Sequence, residues 1–79
     1  MKLPRDLSGS RLVKHLCKMW GYEQVHQVGS HVILQTSTAA QHRIAVPAHD
    51  SLRIGTLNAI LSAVAAHKRV TKEEILKGI

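Results

Sequence analysis

Aromatic residues are nearly absent from this chain of 79 residues, which has no phenylalanine, one tryptophan and one tyrosine. The core must therefore be aliphatic. A chain of this length forms one small domain with a thin core, which excludes cofactor-binding enzymes of the Rossmann or barrel type. We expect a single domain over residues 1–79, with a core of about 8–66 and a C-terminal helical extension over 71–79.

Cysteines and long apolar runs are also scarce. The lone Cys17 cannot form an internal disulfide, whereas small secreted domains usually depend on several. No apolar run approaches the roughly 20 residues that a membrane helix needs, and residues 1–8 lack the hydrophobic core of a signal peptide. We expect a cytoplasmic protein without a membrane partner.

Acidic residues are few as well, since five Asp and Glu face eleven Lys and Arg and leave a net charge of +6. This imbalance predicts a polyanionic partner, with nucleic acid as the first candidate and an acidic protein as the second. No cofactor or metal is expected, because the histidines form no i, i+3 or i, i+4 pair on one helix and a single cysteine cannot anchor a zinc site.

The first helix is predicted over about residues 9–20, with Ser8 or Ser10 as its cap and Gly21 as its left-handed stop. Its apolar stripe, in which Trp20 serves as core, comprises Leu12, Val13, Leu16, Cys17 and Trp20. The opposite stripe is basic and comprises Arg11, Lys14, His15 and Lys18. Such a stripe is typical of a solvated face and equally of a surface that meets a phosphate backbone.

Three strands are predicted next, over residues 22–28, 31–36 and 41–46, with a loop over residues 37–39. Short links between them imply an antiparallel meander. A second helix is predicted to begin near Gly55-Thr56, where Thr56 is a candidate cap. Thr71 with Glu74 predicts a capping box for a short last helix. This order predicts the α+β class, with helices packed on one face of a three-stranded antiparallel sheet.

Two segments bear on function as well as on the fold. They are Gly29-Ser30-His31, and a stretch from Pro47 to Leu61 that contains His49, Leu52, Gly55, Thr56 and Leu57. With the first helix and Gly21, they resemble the HicA family of toxin endoribonucleases over about residues 8–61. The resemblance implies a small α-β-β-β-α fold similar to a double-stranded-RNA-binding domain. It also implies a type II toxin–antitoxin role, metal-independent cleavage of mRNA, His31 as the catalytic residue, and a HicB antitoxin that covers the active site.

The chemistry of RNA supports a role for His31 separately. Each phosphate has a neighbouring 2′-OH, so an enzyme needs only to remove that proton and stabilise the charge that develops on the phosphoryl group. An imidazole suits the proton transfer at neutral pH, and nearby cations stabilise the negative charge that develops on the phosphoryl group. His31 is therefore the candidate general base, set against the alternative of an ordinary surface histidine.

Candidate contacts to RNA surround this residue in the sequence. Gly29 permits close backbone approach and Ser30 can hold a phosphate oxygen or orient the ring. Gly55 and Thr56 form either a phosphate seat at a helix start or an ordinary cap. The remaining candidates for phosphate contact are cations: Arg11, Lys14, Lys18 and Arg53.

The other histidines receive smaller roles. His49 could protonate the leaving 5′-oxygen or brace its loop through a hydrogen bond, and the second role is favoured. His15 can join the basic stripe, and no catalytic role is assigned to His26, His42 or His67. 

Two positions depart from the family pattern, because Val28 and Ile54 stand where family members often carry cations. Arg43, Arg53 and the basic stripe are candidates to offset the loss. These departures keep a second hypothesis open, a non-catalytic RNA-binding module that reads duplex RNA through shape and phosphate contacts. A third is a protein-interaction module that meets an acidic partner.

Overall fold

The computed structural model describes residues 3–37 and 40–79. The elements follow the predicted order and confirm the α+β class: α1 (Gly9–Met19), β1 (Glu23–Val28), β2 (His31–Thr36), β3 (His42–Pro47), α2 (Ile54–Lys68) and α3 (Lys72–Leu76). The loop predicted over residues 37–39 lies mostly outside the described part of the chain, which includes only Ser37.

Local signals account for three of the predicted helix ends. The Ser8 hydroxyl accepts a hydrogen bond from the Arg11 N–H at 3.1 Å and caps α1. Gly21 follows the end of α1 with a φ of +71°, a left-handed conformation that favours glycine. Thr71 and Glu74 form the predicted capping box of α3.

The start of α2 lies close to the predicted Gly55-Thr56, but the candidate cap Thr56 is wrong. The helix begins at Ile54, with Arg53 at the N-cap and no side-chain cap, so that Thr56 lies inside the first turn. The Leu52 N–H donates to the Leu7 carbonyl at 2.8 Å. This bond holds the chain immediately before the helix, so tertiary anchoring and not a capping hydroxyl determines where α2 begins.

The sheet is a meander in the order β1-β2-β3, antiparallel throughout. One face carries the buried side chains of β2 and β3 and packs against α1 and α2. We call the opposite face, which includes His31, Ile33 and Gln35 of β2, the open face. Residues directly across a pair of strands share a face, so Val28 and Pro47, the partners of His31, also lie on the open face.

The core lies between the helices and the inner face of the sheet. Among the described residues its buried apolar side chains are aliphatic apart from Tyr22, which is 2% exposed. Leu7 from the lead-in and Ile75 from α3 are buried with it. The other aliphatic side chains of the described residues that are 0% exposed are Leu12, Leu16, Leu34, Val46, Leu57, Leu61 and Val64. Both ends of the chain therefore contribute to the core.

A close backbone contact is made where α1 begins. A Cβ atom added to Gly9 would overlap the carbonyl oxygen of Pro47 and lie 2.8 Å from its carbonyl carbon. The Gly9 N–H also donates to the His49 carbonyl at 2.9 Å. Only glycine lets the start of α1 approach the end of β3 this closely.

We predict that Gly9→Ala destabilises the fold by about 1–3 kcal/mol, the usual cost of overpacking. Gly55→Ala is the matched control, because Gly55 lies in α2 with nothing within 4 Å of an added Cβ, and it should stabilise the fold by about 0.4–1 kcal/mol. Urea unfolding of both variants measures the difference. Equal stability of the two variants would contradict the close contact.

Candidate functional site

The glycine-serine-histidine motif forms the tip of the β1–β2 hairpin. Val28 and His31 pair across a two-residue loop. Gly29 has a φ of +59° and Ser30 does not share the positive sign, a combination that fits a type II′ turn, whose first position requires glycine. Gln27 supports the loop through a hydrogen bond from Nε2 to the Gly29 carbonyl at 3.1 Å. The turn formed by the motif therefore fixes the register in which β1 pairs with β2.

That register determines where His31 points. Val32 is 6% exposed and faces the helices, so its neighbour His31 projects from the open face, because side chains alternate along a strand. The ring is exposed. Within residues 3–37 and 40–79 no hydrogen bond or ion pair engages it, so it is accessible to a polynucleotide on that face.

The segment after β3 is joined to the hairpin tip by its backbone. The Ala48 N–H donates to the Ser30 carbonyl at 2.6 Å, and the His49 carbonyl accepts from the Gly9 N–H at 2.9 Å. His49 thus braces the loop through its main chain, while its exposed side chain forms no hydrogen bond within residues 3–37 and 40–79. The hairpin tip, the end of β3 and the start of α1 form one connected unit.

The basic stripe of α1 lies on the other side of the sheet from His31. Lys14 lines a groove of 280 Å³ with Gln24, Gln27 and Val32, all of which belong to the helix-facing side of the sheet. Arg11 and Lys18 are exposed on the same helix. The structure therefore does not bring these three cations to the face that carries His31.

His15 does not belong to the basic stripe, contrary to the expectation from helical spacing. It is 8% exposed, and its Nε2–H donates to the Ile75 carbonyl at 2.6 Å. The short helix α3 covers this side of α1, and helical periodicity alone cannot show that a later segment will do so.

The other predicted phosphate contacts gather at the start of α2. Arg53 and Gly55 are exposed and Thr56 is half-buried. No side chain caps this terminus, so the N–H groups of the first turn are left to water or a ligand. Val28 and Ile54, the two positions where the resemblance predicts cations, are 59% and 42% exposed.

A second group of titratable side chains lies at the opposite end of the sheet. The Tyr22 hydroxyl is hydrogen bonded to His42 Nδ1 at 2.9 Å, and the His42 ring stacks on that of His67 with centroids 4.4 Å apart. Lys68 Nζ lies 5.2 Å from the centre of the Tyr22 ring and donates to Thr36 Oγ1 at 3.0 Å.

Burial controls protonation in this group. It raises the pKa of Tyr22 to about 12. The pKa of His42 lies below its ordinary value, first because of burial and then because of the charges of His67 and Lys68. Sequence reasoning missed this group. The signal was the alternation along β3, because His42 falls on the same face of the strand as the buried Ile44 and Val46.

The family described as the HicA toxin of bacterial toxin–antitoxin systems matches residues 9–65. The chain belongs to the HicA toxin family. The matched span runs from the start of α1 almost to the end of α2 and includes the hairpin tip, His31 and the start of α2. No curated protein and no solved structure matches the chain.

Within residues 3–37 and 40–79, no helix has the length and apolar character needed to cross a membrane. In the same ranges, no group of three or more His, Cys, Asp or Glu side chains is arranged to hold a metal ion.

We predict that His42 makes stability depend on pH. A histidine whose pKa is lowered by folding binds its proton more readily in the unfolded chain. The stability it confers is present above its ordinary pKa of 6.5 and falls as the pH drops from there through the lowered value. Urea unfolding at a series of pH values should show this loss in the parent.

His42→Gln should lose less stability than the parent over the same pH range. Gln41→Ala changes the exposed residue beside it. This variant should show the same dependence of the free energy of unfolding on pH as the parent. If His42→Gln reproduced the slope of the parent, another group would be responsible for it.

Proposed function

We propose that this HicA family chain is a metal-independent endoribonuclease that cleaves mRNA, with His31 as its general base. The observation that carries the proposal is the position of His31. The family motif places an imidazole at the start of a central strand, on the open face and exposed. An imidazole in such a place can reach the ribose of a bound RNA.

The proposed reaction uses the nucleophile that RNA supplies. His31 takes the proton of a 2′-OH, and the resulting oxyanion attacks the adjacent phosphorus atom and displaces the 5′-oxygen. The products are a 2′,3′-cyclic phosphate, or the 3′-phosphate formed from it by hydrolysis, and a 5′-hydroxyl end. A positioned base contributes about 10²–10⁴-fold to such a step.

The cations support binding of the RNA backbone at two places. Arg53 and the uncapped first turn of α2, with Gly55 and Thr56, offer donors to a phosphate. The cations of α1, Arg11, Lys14 and Lys18, lie across the sheet from His31, so we assign them to phosphates distant from the bond that is cut. Gly29 and Ser30 shape the tip beside the reacting phosphate.

Family membership also suggests the partner and the setting. We propose that a HicB-type antitoxin restrains the toxin by covering the face that carries His31, and that both act in the cytoplasm, where mRNA is found. The net charge of +6 favours association with an acidic protein as well as with RNA.

One observation favours the alternative of a non-catalytic RNA-binding module. The basic stripe lies on α1, away from His31, and an exposed valine stands beside the motif at Val28. Binding with a steep dependence on salt but without cleavage would select this alternative.

We predict that His31→Ala abolishes cleavage of RNA and arrest of growth. The side chain is exposed and unbonded within residues 3–37 and 40–79, so the free energy of unfolding should change by less than about 0.5 kcal/mol. The measurements are cleavage of total RNA, analysis of the product ends and growth after induction. Gln41→Ala, at an exposed position by the opposite end of the sheet, should cut as the parent does.

A His31→Ala variant that cut RNA at the parent's rate would rule out the assigned role. If the purified parent left RNA intact while a control ribonuclease cut it, the endoribonuclease activity itself would be excluded.

A further inference from the structure

A second histidine lies beside His31 on the open face. Across the hairpin, Val28 pairs with His31 and His26 pairs with Ile33. His26 is therefore the diagonal neighbour of His31 on the same face. Diagonal neighbours in antiparallel strands lie about 7–8 Å apart, within reach of long and aromatic side chains. Both rings are exposed.

An irregularity in β1 creates this juxtaposition. Gln24 pairs with Leu34 and faces the helices, so regular alternation would turn His26 toward the helices too. The register shifts between Gln24 and His26, where Val25 is the extra residue of a bulge. A one-residue shift reverses the face of every side chain beyond it, and bulges commonly re-aim side chains at functional sites.

We infer that His26 is the general acid of RNA cleavage and protonates the leaving 5′-oxygen. The inference rests on the proposed function and extends it from one catalytic histidine to two. It is carried by the shared face, the diagonal register and the bulge that produces them.

In the proposed step each histidine transfers one proton. His31, neutral, accepts the proton of the 2′-OH as the bond from O2′ to phosphorus forms. The bond from phosphorus to O5′ breaks, and O5′ takes a proton from the imidazolium of His26. The attacking and leaving oxygens lie roughly in line on opposite sides of phosphorus, which requires an acid and a base on two sides of one phosphate.

The remaining histidines fit this role less well. His15 is buried and bonded to Ile75, while His42 and His67 stack on each other at the far end of the sheet. His49 is exposed but follows the last paired residue of β3. No strand pairing fixes its side chain relative to His31. His49 is therefore the alternative candidate for the general acid, and the experiment compares the two residues.

The experiment measures kcat against pH for the purified full-length parent, His26→Gln and His49→Gln. The parent should give a bell-shaped profile, because one imidazole must be neutral and the other protonated. His26→Gln should lower kcat by about 10²–10⁴-fold and lose the alkaline limb. His49→Gln should keep both limbs.

A second substrate separates an acid from a residue that merely supports the fold. In an oligonucleotide with sulfur in place of the bridging 5′-oxygen, the leaving thiolate needs no proton. His26→Gln should cut this substrate at nearly the parent's rate, whereas His31→Ala should not cut it.

The outcomes distinguish the inference from the function on which it rests. The role of His26 is overturned if His26→Gln keeps the alkaline limb of the pH profile or cuts the sulfur substrate far more slowly than the parent does. It is also overturned if His49→Gln shows the same loss of the alkaline limb and the same rate on the sulfur substrate. In each of these cases the endoribonuclease activity of the parent stands. If the parent cuts neither substrate, the proposed function fails, and the inference fails with it.

Discussion

The site depends on the close approach of α1 to the end of β3. Gly9 packs against the Pro47 carbonyl and donates to that of His49, and Ala48 donates in turn to Ser30 at the hairpin tip. These contacts join a helix, a strand end and a turn that are distant in sequence. His31 follows directly after the turn, so the position of its ring is set by this junction. In a small domain with a thin core, such main-chain contacts supply rigidity that side-chain packing alone does not.

Much of the architecture could be read from local patterns. The apolar spacing of α1, the alternation around Val32 and Leu34, and the chemistry of the Ser8 and Thr71 caps act over a few residues, so they predict the elements and their order. The HicA resemblance, carried by the glycine-serine-histidine motif and the segment after Pro47, led to the family that the matched span of residues 9–65 confirms.

The rest depended on contacts between distant segments. His15 is buried because α3 returns over α1, and the chain before α2 is held by the bond from Leu52 to Leu7. Thr56 offered a reasonable cap, but tertiary anchoring overrode it. The neighbours of His31 could not be predicted either, since a bulge leaves no clear sign in the sequence and decides which face His26 occupies.

The bulge at Val25 has a second consequence, because β1 is an edge strand. All six of its residues are exposed, and its outer backbone groups have no partner strand within the described ranges. A straight edge of this kind invites pairing with another chain, and a bulge interrupts the run of evenly spaced donors and acceptors that such pairing needs. The same extra residue that aims a side chain at the proposed reaction thereby also makes the β1 edge a poorer template for pairing with another chain.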